Sequence, residues 1–163
     1  MSTMNITITV NGRDRRADAA PRMTLIDFLR DELRLTGSHI GCEHGVCGAC
    51  TVLLDGDPIR ACLMFAVQAD GLSVTTVEGL EDETGALSAV QDAFWETHAL
   101  QCGYCTPGML MAAQALLHEN DDPSDAEIRE AISGNLCRCT GYQQIVDAIK
   151  LAAKTLSTER ANA

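Results

Sequence analysis

Eight cysteines constrain this 163-residue chain most strongly, because they fall into two groups of four, one group in each half. Disulfides are rare in reducing compartments, where clustered thiols more often bind metals or carry out redox chemistry. We expect such a compartment, since the segment Met1–Gly12 alternates polar and apolar residues and lacks the apolar stretch of a signal peptide. The longest run without a polar residue, Ala61–Val67, is far shorter than the roughly 20 residues of a bilayer span. The sequence therefore predicts a cytoplasmic metal-binding or redox protein without a membrane span.

The charge balance argues against one class of partner. Twelve Lys and Arg residues against 23 Asp and Glu residues give a formal net charge of −11. Nucleic-acid binding draws much of its affinity from basic side chains on phosphates, so a nucleic-acid partner is not expected.

The first half, residues 1–78, is predicted to be a small α+β domain. Ile6, Ile8 and Val10 alternate with polar residues and precede an Asn-Gly turn, a pattern typical of a β-hairpin. Thr24 is a candidate N-cap for one helix, and further strands are expected at 51–54, 58–62 and 73–77. Strands with one crossing helix indicate the plant-type ferredoxin-like (β-grasp) architecture once the cysteine spacing is considered.

The second half, residues 79–163, is predicted to be a bundle of four short helices after an acidic linker at 78–85. Apolar spacing indicates a helix that ends near His98, and Thr106-Pro107 is a typical helix start. Ser124 opens a capping box for a helix that ends near Gly134. Thr140 is expected to cap the last helix, which should run to about Leu156 and leave a frayed tail.

The spacing of the first cysteine group is specific. Cys42-x4-Cys47-x2-Cys50 is the loop spacing of plant-type 2Fe–2S ferredoxins. A hairpin centred on Gly56 would place Leu54 opposite Pro58 and Cys50 opposite Cys62, so that Cys62 supplies the fourth thiolate. Gly41, Gly45 and Gly48 are expected to let backbone amides approach the sulfurs. His44 is interpreted as an ordinary loop residue, because a Rieske site needs two histidines.

The second group, Cys102-x2-Cys105 and Cys137-x-Cys139, is less specific by itself. Each pair precedes a predicted helix start, where the helix dipole favours a thiolate. Structural zinc also uses four cysteines and stays open as an alternative, more for this group than for the first. A thioredoxin-like dithiol at Cys102 and Cys105 would leave the other two cysteines without a role.

Three segments that contain all eight cysteines except Cys62 are GCEHGVCGACTV at 41–52, QCGYCTPG at 101–108 and GNLCRCTGY at 134–142. Together they resemble the iron–sulfur subunit of xanthine-oxidase-family molybdenum hydroxylases, over about residues 4–155. The sequence resembles in particular the small subunits of aerobic carbon monoxide dehydrogenase and of quinoline-type oxidoreductases. No ligand position departs from the family pattern.

The resemblance implies two 2Fe–2S clusters and two partner chains, a large molybdopterin-binding subunit and a medium FAD-binding subunit, in a dimer of heterotrimers. The cluster on Cys102, Cys105, Cys137 and Cys139 would lie on the molybdenum side, and that on Cys42, Cys47, Cys50 and Cys62 on the flavin side. Gln101 and Cys139 match positions that contact the pterin. The chain would relay electrons one at a time between its partners.

The residues themselves fit a relay rather than a catalyst, since no dinucleotide fingerprint, phosphate-binding loop or acid–base constellation is present. Overall likeness favours an N-heteroaromatic substrate for the whole enzyme, with carbon monoxide or an aldehyde as the alternatives. Two rival hypotheses stay open at this point. One is a free-standing two-cluster electron carrier, and the other is a zinc-stabilised interaction adaptor.

Overall fold

The N-terminal hairpin forms as its sequence pattern predicts. The computed structural model describes residues 2–82 and 84–162, so Met1, Glu83 of the expected linker and Ala163 lie outside the described residues. Strands β1 (Met4–Val10) and β2 (Arg13–Ala19) are antiparallel. Asn11 and Gly12 join them with φ of 51° and 73°, the positive values of a type I′ turn. The three alternating apolar residues of β1 are buried.

The described residues of the first half include a five-stranded mixed sheet and one short α-helix, with 3-10 turns at Ala66–Ala69 and Val77–Gly79. Strands β3 (Thr51–Leu54), β4 (Asp57–Arg60) and β5 (Ser73–Thr75) complete the sheet in the order β2-β1-β5-β3-β4. The pairing of β1 with β5 is parallel, and the others are antiparallel. Helix α1 (Leu25–Asp27) continues as a π-helical turn, Phe28–Glu32, whose Phe28 and Leu29 pack into the sheet's core. Thr24 caps α1, as predicted, by accepting a hydrogen bond from Asp27 N.

The register of the β3–β4 hairpin differs from the prediction by one residue. Leu54 pairs with Asp57, not with Pro58, because the turn is a two-residue Asp55-Gly56 loop with φ of 50° and 99°. Asp-Gly favours this tight connection, in which Asp57 already belongs to the strand. Ala61 N therefore donates to Cys50 O at 3.3 Å, so the residue opposite Cys50 is Ala61 and not Cys62.

Four α-helices lie within the described residues of the second half. Helices α2 and α4 begin at the capping boxes of Ser88 and Ser124, and Pro107 lies in the first turn of α3. The last helix starts two residues later than predicted, because Gly141 and Tyr142 adopt φ of 68° and 71° and keep Thr140 outside it. It also continues past Leu156. The bounds are α2 Ala89–Glu96, α3 Thr106–Glu119, α4 Asp125–Ala131 and α5 Gln143–Asn162.

The two halves pack directly against each other. Helix α3 lies on β3, and Met111 and Ala115 form a small core with Leu53. The start of the expected linker is held in place, since Glu78 accepts hydrogen bonds from Gly37 N at 2.7 Å and from Thr76 Oγ1 at 2.5 Å. Within the described ranges, no helix has the length and apolar character needed to cross a membrane.

Candidate iron–sulfur sites

The loop that contains the first three cysteines curls around their thiols. Cys42 Sγ accepts hydrogen bonds from His44 N at 3.3 Å and from Cys47 N at 3.4 Å. The N–H groups of Cys47 and His44 lower the pKa of Cys42 to about 6, because they stabilise its thiolate. The His44 ring lies against the Cys42 carbonyl, within its own loop.

Two of the three glycines of this loop have roles other than the predicted one of leaving space beside the sulfurs. A Cβ on Gly41 would lie 2.9 Å from Cys47 Sγ, so only this glycine makes room for a sulfur. A Cβ on Gly45 would meet the Leu63 side chain, and one on Gly48 would lie 2.5 Å from Gly134 O in the helical half. The N–H groups that bond Cys42 Sγ belong to His44 and Cys47.

Cys50 and Cys62 interact despite the shifted register. Both are buried, Cys50 just before β3 and Cys62 two residues after β4. Burial raises the pKa of Cys50 to about 11, and the neighbouring thiols of Cys62 and Cys47 oppose its ionisation further. In the first group, Cys42 therefore interacts with Cys47, Cys47 with Cys50, and Cys50 with Cys62.

The thiols of the second group come together from two segments, one directly before α3 and one shortly before α5. Cys102 Sγ and Cys139 Sγ lie 3.5 Å apart and are exposed. Burial raises the pKa of Cys105 to about 12, and the adjacent Cys137 thiol adds to this effect. Burial opposes ionisation of Cys137 as well, but hydrogen bonds from Thr140 outweigh it and lower the Cys137 pKa.

Only one of the two predicted helix-start positions is observed in this group. Cys105 is the N-cap residue of α3, whereas Cys139 lies four residues before α5 begins at Gln143. The Thr140 hydroxyl lies 3.1 Å from Cys137 Sγ and accepts from Tyr142 N at 3.2 Å, so it is engaged with the cysteine loop and not with a helix cap.

The thiols meet in pairs, which fits diiron clusters. The pairs are Cys42 with Cys47, Cys50 with Cys62, Cys102 with Cys139, and Cys105 with Cys137. Among the described residues, no three Cys, His, Asp or Glu side chains converge on one point as around a single metal ion. A 2Fe–2S cluster needs four thiolates, two on each iron, and each cysteine group offers two such pairs.

A cavity of about 330 Å³ lies between the two cysteine groups and opens to the surface. Cys42 and Cys47 line it from the first half, and the whole second group lines it from the helical half. At its rim Gln101, which is exposed, donates from Nε2 to Cys139 O at 3.2 Å. The two candidate pterin contacts predicted from the sequence are thus neighbours on the surface.

The loops of the two groups also contact each other. Leu136 N donates to Cys47 O at 2.8 Å, which places a main-chain hydrogen bond between the loop of Cys47 and the residue before Cys137. The Tyr104 ring stacks on His39 with centroids 4.7 Å apart, and Tyr104 OH donates to Ile40 O at 2.5 Å. Both contacts join the ferredoxin-like half to the helical half.

A polar cluster between the halves has no counterpart among the sequence predictions. Asn135, only 2% exposed, donates from Nδ2 to Gly48 O at 3.1 Å and to Thr51 Oγ1 at 3.2 Å. Arg60 donates to Thr51 Oγ1 at 2.8 Å, to Gly134 O at 2.7 Å and to Asn135 Oδ1 at 3.2 Å. These residues, called the interdomain lock below, are Gly48, Thr51, Arg60, Gly134 and Asn135. Motif spacing offers no signal for them, because the partners lie up to 87 positions apart.

A mixed sheet with a cysteine-rich loop, joined to a helical domain with a second set of four thiols, defines an iron–sulfur protein with two clusters. Family profiles agree with this class. One described as "2Fe-2S iron-sulfur cluster binding domain" matches residues 8–72, and one described as "[2Fe-2S] binding domain" matches residues 76–150.

Similar proteins define the family more narrowly. Caffeine dehydrogenase subunit gamma of Pseudomonas sp. strain CBB1 is 60% identical, covering 95% of this chain and 94% of its own. The nicotine 6-hydroxylase small subunit of Paenarthrobacter nicotinovorans is 56% identical, covering 90% and 87%. The crystal structure of quinoline 2-oxidoreductase from Pseudomonas putida 86 contains a chain 52% identical, with TM-score 0.93 and coverage of 97% and 98%.

The chain belongs to the family of small iron–sulfur subunits of molybdenum hydroxylases. It is the electron-transfer subunit of an oxidoreductase, with a ferredoxin-like domain followed by a helical domain. The predicted likeness to quinoline-type small subunits is confirmed. The cofactor prediction of two 2Fe–2S clusters here, with molybdopterin and FAD in partner subunits, is confirmed at the level of the family.

Proposed function

We propose that each group of four cysteines binds one 2Fe–2S cluster and that the chain carries electrons singly between two partner subunits. The observation that carries this proposal is the pairing of thiols within each group. The clusters supply one-electron transfer, and the protein supplies thiolates, burial and amide donors that hold them. The proposed ligand sets are Cys42, Cys47, Cys50 and Cys62, and Cys102, Cys105, Cys137 and Cys139, with domain limits at residues 1–78 and 79–163.

The exposure of the second group supports its assignment to the molybdenum side. Cys102, Cys139 and Gln101 are exposed at one rim of the cavity, where a bound pterin of the large subunit could be contacted by Gln101 and Cys139. The first group is more enclosed, and Val46 and Leu63 beside it are both 64% exposed. Exposed apolar side chains support a partner surface here, which we assign to the medium FAD subunit.

The proposal extends to the whole enzyme. Relatives are named for caffeine, nicotine and quinoline, and these names favour an N-heteroaromatic substrate selected in the large subunit. We assign the complex to the cytoplasm as a dimer of heterotrimers, because disulfides between the proposed cluster ligands rarely form in a reducing compartment.

The ligand assignment is tested by removing one thiolate from each group. The complex is purified with Cys50→Ser or Cys105→Ser in the small subunit, reduced with dithionite and examined by EPR. Each variant should lose one of two distinguishable cluster signals and keep the other. Loss of both signals in each variant, or of neither, would contradict the grouping.

Composition and association are tested on the native protein. Two sites predict four irons and four acid-labile sulfides per chain, counted as two of each per cluster. Size-exclusion chromatography with absorbance recorded for flavin and iron–sulfur should show co-elution with two larger chains. A monomer that contains iron would instead support the free-standing carrier, and a colourless zinc protein would support the adaptor.

A further inference from the structure

We propose that the positive charge of Arg60, held inside the interdomain lock, makes both clusters easier to reduce. The effect is larger for the first cluster, on Cys42, Cys47, Cys50 and Cys62, than for the second. This inference rests on the ligand assignment proposed above and concerns the electrostatics of the relay. It starts from an arginine whose hydrogen-bond partners are all neutral.

The contacts of Arg60 hold its charge between the two thiol groups. Its guanidinium donates to one hydroxyl, one backbone carbonyl and one side-chain amide oxygen, those of Thr51, Gly134 and Asn135. Thr51 directly follows Cys50, and Asn135 lies two residues before Cys137. The guanidinium group therefore bridges two backbone segments, one next to a proposed ligand of the first cluster and one near a proposed ligand of the second.

No carboxylate of the described residues forms an ion pair with this guanidinium. The ion pairs found in the described ranges, Lys150–Asp125 and Arg160–Asp121, lie on the helical half. An unneutralised cation in partial burial acts on nearby charges with less screening than one in water. In a chain of net charge −11, this positive charge is placed where anionic clusters are expected.

Reduction adds one electron and hence one negative charge to a cluster, with no bond broken and no proton required. A fixed cation nearby stabilises the reduced form more than the oxidised form, and net charge is one of the factors that set cluster potentials. The Arg60 guanidinium lies 2.8 Å from Thr51 Oγ1, in the residue directly after Cys50. On the side of the second cluster its partner Asn135 is two residues from Cys137. The effect should therefore be larger for the first cluster than for the second.

The packing around Arg60 keeps the charge in one place. A Cβ on Gly134 would collide with Arg60 Nη2, and one on Gly48 would lie 2.7 Å from Asn135 Cγ. Thr51 Oγ1 also donates to Gly48 O at 2.6 Å, which fixes the acceptor that Arg60 Nη1 uses. The side chain thus has a defined position and not a mobile one at the surface.

The test separates the charge of Arg60 from its hydrogen bonds. Arg60→Gln and Arg60→Met remove the charge, whereas Arg60→Lys keeps it but loses the forked geometry. Arg15→Gln is the matched control, because Arg15 is an exposed arginine on β2 at the opposite edge of the sheet. Each variant complex is titrated with dithionite at defined potentials, and both EPR signals, assigned with Cys50→Ser and Cys105→Ser, are followed.

At the wild-type midpoint, the reduced-to-oxidised ratio of the first cluster should fall about fivefold to tenfold in the two neutral variants. A tenfold fall corresponds to about 59 mV for a one-electron couple. The second cluster should move in the same direction by less. Arg60→Lys and Arg15→Gln should stay within about twofold of wild type.

Equal shifts in Arg60→Lys and Arg60→Gln would overturn the proposal, as would a shift in Arg60→Gln no larger than that of Arg15→Gln. If the neutral variants fail to hold clusters while Arg60→Lys holds them, the charge is needed to assemble the sites and not to set their potentials, and the proposal fails. If all three Arg60 variants lose clusters, the forked hydrogen bonds are what matters and the proposal fails. Absence of two assignable signals in wild type would instead refute the ligand assignment itself.

Discussion

Replacing Gly48 by alanine should weaken the junction between the domains more than the same change at Gly12 or Gly108. Gly48 has φ of +75°, and a Cβ would lie 2.5 Å from Gly134 O and 2.8 Å from Asn135 Cα. The left-handed conformation costs an alanine about 1–2 kcal/mol. The overlap involves backbone atoms, so relieving it requires movement of the chain, at about 1–3 kcal/mol. Gly48→Ala should therefore cost about 2–5 kcal/mol, the sum of the two ranges.

Two other glycines separate these contributions. Gly12 has φ of +73°, and a Cβ there would have nothing within 4 Å, so Gly12→Ala should cost only the conformational part, about 1–2 kcal/mol. Gly108 lies in α3 and its Cβ would collide with Gly48 O, so Gly108→Ala should show the overlap alone. The gain of about 1 kcal/mol in helix propensity will offset part of that overlap.

The assay is guanidinium unfolding of the purified complex, followed by loss of visible circular dichroism from the clusters. The midpoint of Gly48→Ala should fall well below those of Gly12→Ala and Gly108→Ala, which should lie close to each other. If Gly48→Ala were no more damaging than Gly12→Ala, the close approach of the two loops would not stabilise the junction, and the steric reasoning would be refuted.

Three further predictions concern the helical half and its cluster. Tyr142→Phe should cost about 1 kcal/mol and speed loss of the second EPR signal on heating, because Tyr142 OH accepts from Cys137 N at 2.9 Å; an unchanged rate would argue against that contact. Ser124→Ala should lower the unfolding free energy by about 1 kcal/mol through loss of the α4 cap, measured by the same guanidinium titration, and an unchanged midpoint would contradict it. Lys150 lowers the pKa of Asp125, so the pair stabilises above the ordinary aspartate pKa of about 3.9 and its effect is lost as pH falls through the lower folded value. The melting-temperature deficit of Lys150→Met should therefore be constant from about pH 5 to 8 and disappear only in stronger acid; a deficit that grew in acid would reverse the sign of this linkage.

Local signals in the sequence account for most of the elements. The Asn11-Gly12 turn, the Thr24 cap and the capping box of Ser124 depend on residues close in the chain, and each is present. The sequence predictions are wrong at two places where the same residues could form either of two local structures, a longer or shorter turn in one case and a helix cap or a loop contact in the other. The sequence pattern puts Asp57 in a turn that Asp55-Gly56 already closes, and it makes Thr140 a helix cap although its hydroxyl contacts Cys137 Sγ.

The interdomain lock could not be predicted for a different physical reason. Arg60 and Asn135 lie 75 positions apart, and nothing in their local sequence identifies the acceptors they find. Gly48 belongs to a recognisable cysteine loop, so a role towards sulfur is the natural interpretation. Its absent side chain instead makes room for Gly134 and Asn135, which only the packing of two separate domains determines.

The arrangement of the sheet has a consequence for the chain before it meets its partners. Both outer strands, β2 and β4, have one side unpaired within the described part of the chain, and such edges can recruit strands from other copies. Charged side chains occupy five of the seven positions of β2, namely Arg13, Asp14, Arg15, Arg16 and Asp18. Pro58 removes an amide donor from β4. A separately synthesised subunit thus has built-in protection against polymerising through its own sheet.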